Sequence, residues 1–341
     1  MKQYLEKLLN KENLTLQEMK EAATASFADH MTESELASFL TALRAKGETP
    51  EEIAGLVEVI RSQSSQTTAA FTNVMDNCGT GGDGSHSFNI STTAAFVIAG
   101  AGVKVAKHGN RSITSKTGSA DVLEHLGISL SFSKEHVEKM LDENNIAFLF
   151  APNVLPGMKR FATVRKNLGI PTIFNLIGPL TNPVRLDTQL LGVYRRDMLP
   201  LLAEALNQLG RKRALVVNGA GYMDEASLAG ENHLTLLENG NVTSFTLHPS
   251  DVNLPVYSNE KIRGGDARDN ARILRRVLNG EPGPHLDTVL LNAGLGLFAN
   301  GAASSITDGI QKASESIQSG AALEKLERLA EFSHNVTSEV I

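Results

Sequence analysis

The sequence predicts an α/β protein in which a small N-terminal helical domain precedes a large α/β domain with a central, mostly parallel sheet. Residues 1–60 carry repeated helix-start signals and almost no strand pattern. From residue 70 onward, short apolar runs alternate with amphipathic segments, which is typical of βαβ units and therefore of parallel strands. The length of 341 residues fits two domains of ordinary size.

Three capping boxes divide the N-terminal region into helices. Each box pairs a threonine with a glutamate three residues later, so that both side chains can satisfy backbone N–H groups of the first helical turn. The pairs are Thr15 with Glu18, Thr32 with Glu35, and Thr49 with Glu52. They predict a bundle of four short helices, which ends at a polar hinge over residues 62–68.

The α/β region is predicted from apolar runs and turn residues. A strand over 73–77 leads into a glycine-rich loop, a helix follows over 91–101, and the next strand is 103–106. Further elements are strands at 146–150, 189–193 and 214–218, a hairpin turn at Asn239-Gly240, and a mostly helical tail from residue 266. The first strand–helix–strand unit predicts a right-handed crossover.

One segment interrupts the α/β pattern. Four prolines break residues 154–186 into short, mostly helical pieces. We expect this segment to return to the first domain. The predicted domains are therefore 1–68 joined by 154–186, and 69–153 with 187–341.

Composition excludes several classes of protein. A content of 41% apolar and 21% charged residues is that of a folded chain, and a net charge of −6 argues against non-specific nucleic-acid binding. The single cysteine, Cys78, excludes an internal disulfide and a cysteine-based zinc site. We find no signal peptide and no apolar run long enough to span a bilayer, so we expect a cytoplasmic protein that does not bind membranes.

Positive charge is concentrated in the part of the chain that is rich in glycine. No acidic residue lies between Asp83 and Asp121. The cations within this window are Lys104, Lys107, Arg111 and Lys116. Because the window is also rich in Gly, Ser, Thr and Asn, which offer backbone and side-chain donors, it indicates an anion site. A solvated basic face is the alternative interpretation.

Residues 79–84 read Gly-Thr-Gly-Gly-Asp-Gly after the first predicted strand. They match the dinucleotide-binding pattern G-x-G-x-x-G, but the predicted helix begins only near Ser91. In addition, Lys104 and Lys107 stand where a ribose-binding carboxylate would be expected. Glycines allow close approach of the backbone, whose consecutive N–H groups bind phosphate. The loop therefore indicates a phosphate site, in which Ser91 is either a helix N-cap or a ligand contact.

Two further polar loops follow predicted strands. Residues 107–111 read Lys-His-Gly-Asn-Arg, and residues 218–226 contain adjacent Asp224 and Glu225. Because ligands bind beyond the carboxyl ends of parallel strands, we expect these loops and the glycine-rich loop to converge. The two carboxylates would then supply oxygen ligands for Mg²⁺, or they form a solvated turn. His108 is either a structural hydrogen-bonding residue or a catalyst.

Four stretches, in this order, resemble the anthranilate phosphoribosyltransferase family. They are DNCGTGGDGSHSFNIS, VAKHGNRSITSKTGSADVLEHLG, TIFNLIGPLTNP and the pair Asp224 and Glu225. The resemblance covers nearly the whole chain. It implies transfer of the phosphoribosyl group of 5-phosphoribosyl 1-pyrophosphate to the amine of anthranilate, with release of pyrophosphate, in tryptophan biosynthesis. It also implies the fold of nucleoside phosphorylases and class II phosphoribosyltransferases, a magnesium cofactor, and a homodimer formed through the helical domain.

The resemblance further implies which residues form the site. Those expected to contact the sugar phosphate are Gly79, Gly82, Asp83, Ser87, Asn89, Ile90, Ser91, Thr92, Lys107, His108, Gly109, Asn110, Arg111, Ser112, Ile113, Thr114, Ser115 and Ser119. Those expected in the magnesium sites are Ser91, Asp224 and Glu225, and those expected to contact anthranilate are Gly79, Asn110 and Arg165. In the chemistry, Arg165 would hold the carboxylate, Asn110 would orient the amine, and His108 would assist deprotonation of the product.

The chain departs from the family pattern at two places. Leu155-Pro-Gly-Met-Lys159 stands where many relatives have a histidine ahead of Pro-Ala-Met-Lys, near the expected anthranilate entrance, and Ser87 replaces a common threonine but keeps the hydroxyl. Two alternatives are a pyrimidine-nucleoside phosphorylase and a nucleic-acid-binding relative of the same fold. The Lys-His-Gly-Asn-Arg motif and the shorter chain oppose the first, and the acidic N-terminal region opposes the second.

Overall fold

The computed structural model describes residues 1–64, 71–111 and 117–338. Part of the predicted hinge, residues 65–68, lies outside these ranges. Four of the residues assigned to the sugar phosphate, Ser112, Ile113, Thr114 and Ser115, lie outside them as well.

The N-terminal region consists of four helices, as predicted. They are α1 (Lys2–Leu9), α2 (Leu16–Phe27), α3 (Glu33–Lys46) and α4 (Pro50–Ser62). All three capping boxes are present before α2, α3 and α4, each with its threonine hydroxyl accepting and its glutamate reaching back to the N-cap backbone. These helix starts depend on four consecutive residues, which is why the local sequence predicts them.

The second part of the chain forms a seven-stranded sheet. Its strands are β1 (Val74–Asp76), β2 (Lys104–Gly109), β3 (Ile146–Phe150), β4 (Thr188–Gly192), β5 (Arg213–Asn218), β6 (Asn232–Glu238) and β7 (Asn241–Leu247). Their order in the sheet is β3-β2-β1-β4-β5-β6-β7, and the first five are parallel. The antiparallel hairpin β6–β7 turns at Asn239 and Gly240, which both have positive φ, as the predicted primed turn requires.

Helices connect the strands and form the C-terminal part of the chain. They are α5 (Ile90–Gly100), α6 (Ser119–His125), α7 (Lys134–Glu143), α8 (Ala151–Val154), α9 (Lys159–Leu168), α10 (Phe174–Ile177), α11 (Leu199–Gln208), α12 (Ala267–Leu278), α13 (Pro284–Asn300), α14 (Ile306–Gln318) and α15 (Ala321–Ser338). Within the described residues, no helix is long and apolar enough to cross a membrane.

Most predicted strand boundaries differ from the observed ones by one residue, and two differences bear on the predicted loops. The helix α5 begins at Ile90 with Asn89 as its N-cap residue, so Ser91 lies inside the first turn and is not the N-cap. The strand β2 continues to Gly109, three residues beyond its predicted end, because Lys107 and His108 are buried polar residues inside it. A polar pair normally marks the end of a strand in sequence, and here tertiary burial overrides that signal.

The sheet is covered on both faces by apolar cores. On β4 and β5, Leu190 and Val217 face one core, while Leu191 and Val216 face the other. This alternation is the period of two expected for side chains along a strand. The first core includes α5 and α13, and the second includes the N-terminal helices and α11. The N-terminal bundle therefore packs directly onto one side of the α/β layer.

The proline-rich segment contributes to this second core. Phe161, Ile173 and Leu176 are buried in the same cluster as Leu36 and Ile53 of the N-terminal helices. Packing of aromatic and aliphatic side chains of this kind is the main stabilising term in a domain core. The segment thus lies against the helical bundle, although the domain boundaries given above stay predictions.

Candidate active site

The loops predicted to converge follow β1, β2 and β5, and contacts of Gly81 with Asp224 and of Lys107 with Asn77 bring these strand ends together beside the end of β4. From β1 the sheet first grows toward one edge, through β2 and β3. The strand β4 then pairs with β1 on its other side, so β1 and β4 flank a topological switch point. Beyond these strand ends, Gly79 pairs with Gly192, and the Thr80 N–H donates to the Gly192 carbonyl at 2.9 Å. This is the crevice in which open α/β sheets bind their ligands.

Three backbones pack against one another in this crevice, which only glycine permits. A Cβ atom built on Gly79 would overlap the carboxylate of Asp224 and lie 2.8 Å from its carbonyl oxygen. A Cβ atom on Gly192 would overlap that same carbonyl. Gly192 was missed by the sequence reasoning. Its position at the end of a predicted parallel strand is the signal that could have identified it.

We expect Gly192→Ala to destabilise the fold by about 1–3 kcal/mol, the usual cost of overpacking. Backbone atoms cannot move aside as a flexible side chain can, so the loop that carries Asp224 has to shift. Denaturant unfolding measures the loss. Gly178→Ala is the control, because Gly178 has helical φ and no heavy atom within 4 Å of the added methyl. Equal stability of the two variants would contradict the prediction.

Carboxylates and the N-terminus of α5 meet in the same crevice. The Gly81 N–H donates to Asp224 Oδ2 at 2.6 Å, and the Asp224 N–H donates to Asp83 Oδ2 at 3.4 Å. The Ser91 N–H, in the first turn of α5, donates to Glu225 Oε1 at 3.1 Å. Two segments of the chain, residues 81–91 and residues 224–225, therefore bring Asp83, Ser91, Asp224 and Glu225 together, although they lie more than 130 positions apart in sequence.

The concentration of negative charge shifts the ionisation of these acids. Burial, together with the nearby charges of Asp83 and Glu225, raises the pKa of Asp224 well above its usual value. Burial also raises the pKa of Glu225 to about 7, although Lys107 opposes the shift. Closely spaced acids of this kind are stabilised by a bound cation.

These residues fit magnesium. Within the described ranges, no three His, Cys, Asp or Glu side chains are placed to enclose a metal ion by themselves. Mg²⁺ does not need such a cage, since it usually retains several waters and takes one or two protein carboxylates plus substrate phosphates. Asp224 and Glu225, with the Ser91 hydroxyl beside Glu225, provide hard oxygen ligands of the required type.

Lys107 is the cation that the structure places inside the site. It is only 3% exposed, and its ammonium group donates to the Asn77 carbonyl oxygen at 3.3 Å. Arg111, by contrast, pairs with Asp121 at 2.7 Å and Glu124 at 2.6 Å, which raise its pKa. Lys104 donates to the Leu141 carbonyl at the amino end of β2, away from the strand ends that form the site. Lys116 lies outside the described residues.

His108 follows Lys107 on β2 and is also buried. Burial lowers its pKa, although Asp76 and a hydrogen bond to the Gly178 carbonyl oppose the shift. Its Nε2 atom has no hydrogen-bond partner among the described residues. Nε2 is therefore a buried ring nitrogen without a partner among these residues, and the lowered pKa favours the neutral ring.

Asp76, at the end of β1, is a second residue that the sequence reasoning missed. It is fully buried, and its carboxylate accepts from the Asn77 N–H at 2.8 Å and the Asn182 amide at 3.0 Å. The same Asn182 amide donates to the Ala106 carbonyl at 2.7 Å. The network ties the ends of β1 and β2 together. A charged residue within an apolar strand is the signal that could have identified it.

Asn110 and Ser87 are two further predicted contacts. Asn110 is exposed, its Oδ1 accepts from the Arg111 N–H at 2.7 Å, and its carbonyl accepts from the Ser119 hydroxyl at 3.2 Å. Ser87 pairs with Arg263 and lines a cavity of about 140 Å³. Asn110 is therefore next to the start of α6, and Ser87 is next to the segment that precedes α12.

Arg165 lies on α9, in the proline-rich segment. Its guanidinium lies 5.4 Å above the ring centre of Phe174 and has no hydrogen bond or ion pair within the described part of the chain. Burial alone lowers its pKa. An arginine held in this way has its planar fork available for a carboxylate. Leu155, the departure from the family pattern, is buried in the second core.

Family models match both parts of the chain. The helical bundle domain of a glycosyl transferase family matches residues 2–64, and the a/b domain of a glycosyl transferase family matches residues 71–323. These ranges cover most of the chain and coincide with the N-terminal helices and the sheet-containing part.

Curated relatives are similar over nearly their whole length. The chain is 59% identical to the anthranilate phosphoribosyltransferase of Exiguobacterium sibiricum, with 96% of this chain and 97% of that protein aligned. It is 56% identical to the enzyme of the same name from Oceanobacillus iheyensis, with both chains covered completely.

Solved structures agree with these relatives. The anthranilate phosphoribosyltransferase of Thermus thermophilus superposes with a TM-score of 0.92 at 40% identity, covering 97% of this chain and 99% of that one. The Saccharomyces cerevisiae enzyme in complex with PRPP and Mg superposes with a TM-score of 0.88 at 31% identity, covering 98% of this chain and 97% of that one. The chain therefore belongs to the anthranilate phosphoribosyltransferase family.

Proposed function

We propose that this chain transfers the phosphoribosyl group from 5-phosphoribosyl 1-pyrophosphate to the amine of anthranilate, with release of pyrophosphate, and so acts in tryptophan biosynthesis. The observation that carries this proposal is the convergence of Asp224, Glu225 and the glycine-rich loop at the switch point of the sheet. The related yeast enzyme has been solved with PRPP and Mg, and also with 4-fluoroanthranilate. The proposal therefore agrees in ligand chemistry with relatives of the same fold.

The sugar phosphate would bind to backbone and side-chain donors of the crevice. The loop of residues 79–84 and the first turn of α5 offer N–H groups, and Lys107 offers a buried positive charge. Asp224, Glu225 and Ser91 would hold magnesium, which supplies charge stabilisation to the leaving pyrophosphate when it is bound. Fixed donors of this kind stabilise developing negative charge without reorganising during the reaction.

Anthranilate would bind through its carboxylate to Arg165. The aromatic amine is neutral at pH 7, so the reaction needs alignment of nitrogen and sugar carbon more than it needs a strong base. Positioning of two reactants can lower a barrier by roughly 7–11 kcal/mol. We assign orientation of the amine side to Asn110. We assign to His108 a supporting role in deprotonation of the product nitrogen after the new bond forms.

A fluorescence assay tests the proposal. Anthranilate is fluorescent, and the chain contains no tryptophan to add emission of its own. We expect the anthranilate signal to fall when PRPP and Mg²⁺ are both present and to stay constant when either is omitted. Constant fluorescence under all conditions would contradict the proposal. Phosphate-dependent cleavage of a pyrimidine nucleoside, or salt-sensitive binding of DNA, would then favour one of the two alternatives.

We further propose that the chain is a cytoplasmic homodimer that associates through its helical domain. Leu9, in the last turn of α1, is 72% exposed and is the most exposed of the large hydrophobic side chains among the described residues. Covering this side chain in a subunit interface would remove its apolar surface from water. Sedimentation velocity of the purified chain would measure the state, and a monomer at micromolar concentration would contradict it.

We also propose that residues 154–186 belong to the helical domain. The buried contacts of Phe161 and Ile173 with the N-terminal helices support this assignment.

A further inference from the structure

A buried amide on α12 contacts the N-terminus of α5, where the sugar phosphate is proposed to bind. Asn270 is only 3% exposed. Its Oδ1 accepts from the Gly265 N–H at 2.9 Å, and its Nδ2 donates to Asn89 Oδ1 at 2.9 Å. Asn89 in turn is the N-cap residue of α5, 181 positions earlier in the chain. None of the motifs found in the sequence includes Asn270.

The order of donors along this chain of hydrogen bonds is determined by the backbone. The Gly265 N–H can only donate, so the Asn270 oxygen must face it and the Asn270 amino group must face Asn89. The oxygen of Asn89 is then already engaged, and its own amino group points away from Asn270. The side chain of Asn89 does not cap α5, so this orientation is not required by the helix.

The surroundings hold both amides in place. Gly264 packs so closely that a Cβ atom on it would lie 2.8 Å from Phe88 Cα, next to Asn89. The Gly264 N–H donates to the His86 carbonyl at 2.9 Å, and the Phe88 N–H donates to the Ile262 carbonyl at 3.0 Å. The segment before α12 is thereby joined to the segment before α5. Asn270 also lines the cavity of about 140 Å³ beside Ser87.

We propose that Asn270 is a positioning residue that sets the orientation of the Asn89 amide, so that Asn89 presents its amino group rather than its oxygen to the sugar phosphate. This inference rests on the proposed contact between Asn89 and that substrate. The amino group donates to phosphate or hydroxyl oxygens, whereas the amide oxygen repels an anionic oxygen. Asn270 itself touches no reacting atom.

Asn270→Asp tests the proposal. The aspartate still accepts from the Gly265 N–H but offers Asn89 only an oxygen, so Asn89 has to turn its amino group inward and its oxygen toward the substrate. We expect the KM for PRPP to rise at least about tenfold, as for the loss of a hydrogen bond to a charged group. We expect kcat at saturating PRPP and the KM for anthranilate to change less than about threefold. An unchanged KM for PRPP would overturn the proposal.

A double-mutant cycle separates amide orientation from the added negative charge. In the Asn89→Ala background, Asn270→Asp is expected to raise the KM for PRPP no further, because there is no amide left to orient. An equal rise in both backgrounds would overturn the proposal. If Asn89→Ala is active with an unchanged KM for PRPP, the inference fails while the proposed activity stands. Complete inactivity of the wild-type chain would instead refute the proposed function.

Asn300→Asp is the matched control. Asn300 is also a buried amide, 6% exposed, at the end of α13, where its Nδ2 donates to Thr188 Oγ1 at 2.9 Å. It lies at the amino ends of β1 and β4, opposite the site. We expect this variant to lower the melting temperature and leave the KM for PRPP unchanged. Asn270→Leu removes the amide without adding charge, and we expect it to raise the KM for PRPP less than Asn270→Asp does. This variant also tests the proposal if the aspartate variant does not fold.

Discussion

Replacing Asp224 and Glu225 by Asn and Gln is expected to lower kcat/KM by about 10²–10³-fold, the range found when a fixed electrostatic stabiliser is removed from an active site. The two carboxylates are the proposed magnesium ligands, and amide oxygens carry no charge with which to attract the ion. Steady-state rates measured over a range of Mg²⁺ concentrations check the result. Full activity with an unchanged metal dependence would contradict the assignment.

The same double variant is expected to be more stable than the wild type when magnesium is removed. Burial and the neighbouring Asp83 raise the pKa of Asp224, so the charged form is unfavourable in the folded protein without a cation. Neutral amides remove that cost. Thermal melting in the presence of a chelator measures the difference. A lower melting temperature for the variant would show that the carboxylates stabilise the fold by themselves.

Asp187→Asn is the control for this stability effect. Burial favours the neutral form of Asp187, but hydrogen bonds from Lys212 and from the Asn73 N–H outweigh it, and its pKa is lowered. Its charge therefore contributes favourably to folding, and replacing it is expected to lower the melting temperature without changing the Mg²⁺ dependence. We therefore expect the melting temperature to rise in the double variant and to fall in Asp187→Asn. The opposite changes would distinguish carboxylates that need a bound cation from one that is already paired with protein groups.

The second large effect is expected at Arg165. Arg165→Ala should raise the KM for anthranilate by about 10–100-fold, which corresponds to about 1.5–3 kcal/mol for a hydrogen bond to a charged group. The guanidinium is half-buried over Phe174 and has no ion pair within the described ranges, so nothing there competes with a substrate carboxylate. Initial rates at saturating PRPP measure the change. The KM for PRPP should stay the same.

Two variants control this experiment. Arg165→Lys keeps the charge but loses the planar fork, so it should recover only part of the affinity. Arg160→Ala removes an arginine from the same helix whose guanidinium is occupied by the Ala28 carbonyl at 3.0 Å, and it should leave the KM for anthranilate unchanged. If Arg165→Ala behaves like Arg160→Ala, the carboxylate is bound elsewhere.

Much of the fold could be predicted because its signals are short-range. The capping boxes at Thr15, Thr32 and Thr49 and the turn at Asn239-Gly240 depend on two to four consecutive residues. The apolar run at 146–150 coincides with β3. Each of these signals acts through neighbours in sequence. The local preference and the tertiary packing agree at these positions, so the local prediction holds.

The predictions were less complete where burial changes the meaning of a residue. Lys107 and His108 look like a loop in sequence but lie inside β2, because the site provides partners for them. Arg111 is one of the cations of the basic window, yet its guanidinium is already paired with Asp121 and Glu124. Charge counted along a sequence does not show which cations already have partners.

The sequence by itself determined the helix starts, the parallel architecture and the residue types of the site, because these follow from local patterns and from the need for glycine where backbones approach. Only the tertiary structure decided that Gly79, Gly192 and Asp224 pack together and that Asn270 holds Asn89. Gly79 lies 145 positions from Asp224, and Asn89 lies 181 positions from Asn270, so these contacts join segments that are distant in sequence. Their existence depends on strand order and on the packing of α12 against α5, which no short segment of sequence specifies.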